Sequence, residues 1–247
     1  MEWTIWHLYP ELMSLYGEYA NLSVLRRLLE DLGGTVTVRT ATFEDTPDFS
    51  GADLIYMGAG TERGQKAVLT DLRRYAENLR KAAAGRTLLL FTGNAMEVLG
   101  TSVTDAAGKV WPGLGLADFT TEETDKRSPQ DVIAAPTLWE APVVGFMNKC
   151  SRTSGVTAPL FSALPLGLGN EAEGGAEGYA AGNILATHIT GPVLVKNPAF
   201  LEYVAGRMYE NRGAQLPTLP EDAPWRVHAR DAYAVTYAEL SARLGNT

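Results

Sequence analysis

Leu88-Leu-Leu-Phe91 is an unbroken apolar run, cut off by Thr92-Gly93-Asn94 before Ala95 to Leu99 opens a helix. Four such residues bounded by a turn read as a buried strand. In an α/β sheet the turn after such a strand lies at the carboxyl edge, with helix amides pointing at it, where ligands and nucleophiles collect. The sharpest point of this turn is Gly93, so the elbow bears no Cys, Ser or Thr there.

The rest of the first hundred residues follows the same rhythm. Trp3 to Leu8 reads as a strand, and Tyr9-Pro10 leads into a turn-rich segment, Leu12 to Tyr19. Asn21 is placed to cap a helix over Leu22 to Leu32, whose Leu22, Leu25, Leu28, Leu29 and Leu32 recur at helical spacing before Gly33-Gly34. Strands over Thr35 to Ala41 and Asp53 to Met57, a helix over Glu62 to Ala84 and a strand over Thr87 to Phe91 complete a parallel-sheet pattern with helices on both faces. Beyond residue 100 the pattern changes. Lys109 to Phe119, Asp131 to Ile133, Val143 to Met147 and Gly182 to Thr187 are short strands among Gly- and Pro-rich turns, an antiparallel extension or long loops at the sheet edge. Pro198 to Tyr209 is a helix capped by Asn197. Pro217, Pro220 and Pro224 make Gln215 to Trp225 an extended linker, and Asp231 to Leu244 is a last helix docked on the surface or on a partner. The expected division is residues 1–209 as the α/β domain and 210–247 as linker and C-terminal helix.

Composition removes several function classes. A net charge of −8 with no stripe of Lys or Arg speaks against nucleic-acid binding. No apolar run approaches the roughly 20 residues that span a bilayer, and the amino terminus shows no signal peptide. A single cysteine, Cys150, fits a reducing compartment. The expectation is a cytoplasmic protein without membrane insertion. No His/Cys cluster is spaced for a metal and no Walker-type loop is present, so neither metal nor other cofactor is expected.

Four places are candidates for chemistry. Gly58-Ala59-Gly60, between a strand and a helix that carries Gln65, lets backbone N–H groups approach an anion or oxyanion, although its glycine spacing is not that of a dinucleotide site. Cys150 stands in a loop-like polar stretch, Gly145 to Thr153; as a nucleophile it needs a base, and His188 is the histidine available to it. Arg152 can grip a carboxylate in a bidentate fork, or pair with a surface acid. Glu97, in the first turn after Gly93, suits the helix dipole and can recognise an amine.

Several stretches together resemble the class I glutamine amidotransferases of the CobB/CobQ type, in particular the GatD-type small subunits of lipid II isoglutaminyl synthases. They are Leu8 to Gly17, Asp53 to Gly60 with Gln65, Glu97 to Gly100, Val144 to Asn148 with Arg152-Thr153, and Thr187 to Pro198, which ends in Gly-Pro-x-Leu-x-Lys-Asn-Pro. The resemblance implies a flavodoxin-like fold with a mostly parallel central sheet. It implies a Cys on the elbow that attacks the glutamine amide, a His before Gly-Pro as its base, and an oxyanion hole from the glycine turn. It also implies ammonia transfer to a Mur-ligase-like (MurT-type) partner that uses ATP to amidate lipid II. Both members of the catalytic pair are replaced here: Gly93 stands at the Cys position and Thr190 at the His position. A one-residue slip offers only Thr92 or Asn94.

Three readings follow. One is an amidotransferase subunit working through a relocated Cys150–His188 pair, with Arg152 holding the substrate carboxylate. Another is a non-catalytic subunit that binds a partner, or a small amide or amino acid such as glutamine. The third is a different amide- or amine-handling reaction in a pocket of Gly58, Ala59, Gly60, Gln65, Asn94 and Glu97. Losing the attacking group costs about a millionfold in rate in a serine protease, which favours the second.

Overall fold

The structure is a computed structural model describing residues 1–219 and 221–244. Its elements in chain order are β1 (Glu2–Leu8), α1 (Tyr19–Asp31), β2 (Thr35–Ala41), β3 (Leu54–Met57), α2 (Glu62–Leu72), α3 (Ala76–Ala84) and β4 (Leu88–Thr92). There follow β5 (Ser102–Thr104), β6 (Val110–Pro112), β7 (Thr120–Pro136), β8 (Val143–Ser154), β9 (Phe161–Leu166), β10 (Tyr179–Ala181) and β11 (Ile184–Thr187), then α4 (Val193–Lys196), α5 (Pro198–Asn211) and α6 (Pro224–Leu244).

Period-two alternation sorts the strand residues onto two faces. Trp3, Ile5, Leu54, Tyr56, Leu88 and Leu90 pack with Leu25, Leu28 and Leu29 of α1 and Phe200 and Val204 of α5. Trp6, Ile55, Met57, Leu89 and Phe91 pack with Val68, Leu69 and Leu72 of α2 and Leu79 of α3. The main sheet runs β10-β11-β4-β3-β1-β2, parallel except for β10 at one edge. Without β10 this is the 2-1-3-4-5 order of flavodoxin-like sheets, whose ligand crevice lies outside the carboxyl ends of the strands.

Local corrections have physical causes. α1 starts two residues before Asn21, which is therefore no cap. The buried Asn21 amide instead donates to Tyr56 Oη (2.9 Å) and accepts from the Leu194 N–H (2.8 Å), tying the helix to the sheet and to α4. The helix expected over Glu62 to Ala84 is broken by a 3-10 turn at Arg73–Tyr75, where Tyr75 donates to the Asp45 carbonyl at 2.9 Å. α2 begins at the Thr61 cap, whose hydroxyl accepts from Gly64 N–H at 3.0 Å.

The second sheet, β6-β5-β7-β8 with β9 on β7, is more regular than its sequence suggests. β7 has 17 residues and β8 has 12, with exposed polar residues such as Glu122 and Arg152 at strand positions facing solvent. Register shifts between Glu123 and Ser128 and throws residues 124–127 out of the ladder as a bulge. α6 starts at Pro224, earlier than the expected helix at Asp231, and lies on this chain: Trp225 donates to Asp31, Tyr233 donates to the Pro142 carbonyl, and Leu240 is buried with Ile133 and Val144. Pro220 of the expected linker lies outside the described residues, as do residues 245–247. Among the described residues no helix is long and apolar enough to cross a membrane.

Candidate functional site

Strand register assembles the site. Met57 lies beside Phe91, and Thr92 beside Thr187, so the turns that follow β3, β4 and β11 emerge together at the carboxyl edge. They carry Gly58 to Gly60, Gly93 and His188 to Thr190. Gly93 holds φ at +62°, a left-handed conformation that L side chains seldom adopt. The chain then continues as a 3-10 helix, Gly93–Leu99, instead of the expected α-helix. A Cβ on Gly93 would lie 2.4 Å from the Ala59 Cβ and 3.0 Å from its Cα. The turn keeps a left-handed backbone at Gly93, and the Ala59 methyl fills the space a side chain there would take.

The expected oxyanion hole is also occupied. Gly60 N–H donates to Asn94 Oδ1 and Asn94 Nδ2 donates back to the Gly60 carbonyl, both at 2.9 Å. The Asn94 carboxamide thus takes up an amide that would otherwise stabilise a developing charge. Gln65 is buried and donates to the Asn94 carbonyl and to Glu97 Oε2, each at 2.6 Å. It braces the elbow and has no free amide for a ligand.

Thr190, at the expected base position, is buried and donates to Glu18 Oε1 at 2.6 Å. That carboxylate is fully buried. Oε1 also accepts from Gly191 N–H (2.7 Å), and Oε2 accepts from Tyr56 Oη (3.0 Å) and from Thr92 Oγ1. Four donors from three strand ends satisfy it, so Glu18 ties the carboxyl edge together. Sequence reasoning missed Glu18, since an acid in a turn-rich segment reads as solvated.

Behind the elbow lies a buried ionic row. His188 Nδ1 pairs with Glu177 Oε1 at 2.9 Å, and its Nε2 faces Glu97 Oε1 at 3.6 Å. Glu97 Oε1 accepts from Ser151 Oγ at 2.5 Å. Burial and the nearby Lys149 ammonium oppose charge on the imidazole, but the bond to Glu177 and the facing Glu97 carboxylate outweigh them and raise its pKa. Burial likewise opposes charge on both glutamates, and His188 leads the interactions that lower their pKa values. The two flanking carboxylates favour the charged form of the imidazole, which works against a general-base role.

Cys150 and His188 line one cavity of about 30 Å³ but form no nucleophile–base pair. Cys150 lies on β8, not in a loop. Its thiol donates to Glu62 Oε1 at 3.4 Å, and Arg127 Nη2 donates to its sulfur at 3.5 Å. Burial, followed by the Glu62 carboxylate, pushes the thiol up to about 11, away from the thiolate a nucleophile requires. Arg152 is exposed on β8 and does not line the cavity, so the expected carboxylate grip is not built there. Arg152 shares its face of β8 with Asn148 and Cys150 but lies further along the strand, past the end of the cavity lining. The arginine at the cavity is Arg127, carried by the β7 bulge and paired with Glu62 at 2.6 Å. A bulge has no reliable sequence signal, and nothing in the sequence around Arg127 marks it. Among the described residues no group of three or more His, Cys, Asp or Glu side chains is arranged to hold a metal.

Comparison with known proteins agrees with this architecture. Residues 4–198 match the model of the CobB/CobQ-like glutamine amidotransferase domain. The chain is 27% identical over 221 residues to the lipid II isoglutaminyl synthase (glutamine-hydrolyzing) subunit GatD of Staphylococcus aureus (strain N315), covering 90% of this chain and 89% of that protein. It is 29% identical over 194 residues to the subunit of the same name from Streptococcus pneumoniae (strain ATCC BAA-255 / R6), covering 77% and 74%. A crystal structure of a glutamine amidotransferase superimposes with a TM-score of 0.53 at 14% identity, over 83% of this chain and 98% of that one, a likeness of fold. With the family match running from β1 to the start of α5, the chain belongs to the CobB/CobQ-like glutamine amidotransferase family.

Proposed function

We propose that this chain is a GatD-like subunit acting in lipid II amidation, and so in peptidoglycan synthesis, without hydrolysing glutamine itself. In this reading it serves a Mur-ligase-like (MurT-type) partner in the cytoplasm as scaffold or regulator. The observation that carries the loss of hydrolysis is the contact at the elbow: a Cβ on Gly93 would collide with Ala59 at 2.4 Å. The Asn94 carboxamide on the Gly60 amide supports it, as does Thr190, which stands where the family's base is expected and is bonded to Glu18. Resemblance to two GatD subunits over most of the chain supports the pathway.

The test is a glutaminase assay on the purified chain, alone and with a Mur-ligase-like partner. The expected result is partner binding with no ammonia release above the rate without enzyme. Release at a rate typical of enzymes would overturn the reading. Release that disappears in Cys150→Ala would put the relocated Cys150–His188 pair in its place.

A further inference from the structure

We propose that Tyr16 is a lid over the elbow cavity, latched by Asn148, and that its opening controls access to the site. The inference rests on the cavity and its wall, and holds whichever chemistry the site performs. Tyr16 lines the cavity yet is 46% exposed, so its ring stands between the interior and solvent. It sits on the segment between β1 and α1 with φ +59° and ψ +21°, a left-handed conformation seldom held by a residue other than Gly, Asn or Asp. Residues in such regions persist when surrounding contacts hold them, and they gather at ligand clamps and switches.

Two side-chain contacts hold this one. Asn148 Nδ2 donates to Tyr16 Oη at 2.9 Å, and the Tyr16 ring meets Phe146 edge-on at 6.0 Å between centroids. Two buried polar atoms among the residues lining the cavity, Asn148 Oδ1 and His188 Nε2, have no hydrogen-bond partner. Unpartnered buried atoms of this kind need explanation, and a molecule admitted past the lid would satisfy them. Gly17 follows Tyr16 at φ +77°, with open space around its Cα.

Cys150 is a built-in reporter: it is the chain's single cysteine, it lines the same cavity, and it shares a face of β8 with Phe146 and Asn148. The experiment measures the rate at which methyl methanethiolsulfonate modifies Cys150, with the melting temperature recorded for each variant. Tyr16→Ala is expected to react about tenfold faster than the parent chain. Tyr16→Phe and Asn148→Ala keep the ring and lose the latch, and should fall between the two. Unchanged rates in Asn148→Ala and Tyr16→Phe would overturn the proposal, as would increases that merely follow a loss of melting temperature. If Tyr16→Ala does not fold, the two milder variants decide.

Discussion

Gly93 has a left-handed backbone while Ala59 fills the volume above it, so placing a thiol there is a packing problem before it is a chemical one. Gly93→Cys should lose about 1–3 kcal/mol of stability, the usual range for overpacking. Ala59→Gly in the same chain should recover most of that loss, as read from urea unfolding midpoints. A Gly93→Cys variant as stable as the parent would show that the elbow yields more easily than its contacts imply. His188 gives a second prediction at this scale. Removing it by His188→Gln leaves the buried carboxylates of Glu97 and Glu177 without the imidazole between them, at a cost of about 3–5 kcal/mol. Its pKa is raised in the folded state, so its contribution is full below its unfolded value of 6.5 and is lost as the pH rises through the folded value. The stability difference between parent and variant should be largest near pH 6 and shrink in alkaline solution. The share from the two carboxylates runs the other way: present above their unfolded range, and lost as acid reaches their lowered values.

At the scale of elements, the helices and parallel strands were legible because apolar spacing reports burial directly. Leu22, Leu25, Leu28 and Leu29 mark the buried stripe of α1, and Leu88 to Phe91 lie wholly inside the sheet. The outer halves of β7 and β8 were not legible: a run such as Thr120 to Gln130 is too polar to signal a strand and is held by pairing with β8. Tertiary pairing overrides propensity in such strands. α6 shows a weaker form of the same effect. Its one buried leucine, Leu240, docks on Ile133 of β7 and Val144 of β8, while Val235 on the same helix is 71% exposed. Leu240→Ala should therefore destabilise the protein by about 2–4 kcal/mol, within the range for a buried leucine. Val235→Ala should change stability by less than about 0.5 kcal/mol, as surface substitutions usually do. Thermal or urea unfolding of the two variants separates a docked helix from a loosely attached one.

For the whole molecule, the sequence determined the class of fold and which residues stand at the positions where a nucleophile and its base were expected. Each depends on local information: the period of apolar residues, the glycines at the carboxyl edge, and the identities of residues 93 and 190. Tertiary structure decided what surrounds them. Ala59, Asn94 and Glu18 come from three separate segments, and their collective effect at the elbow follows from distances between chain positions remote in sequence. The same holds for His188, which was one candidate base among residues of unknown separation. The fold sets it, buried, between Glu177 and Glu97, while Cys150, in the same cavity, is engaged by Glu62 and Arg127. A sequence specifies which groups are available. Burial and partners, which set protonation and free volume, exist only once the chain has folded.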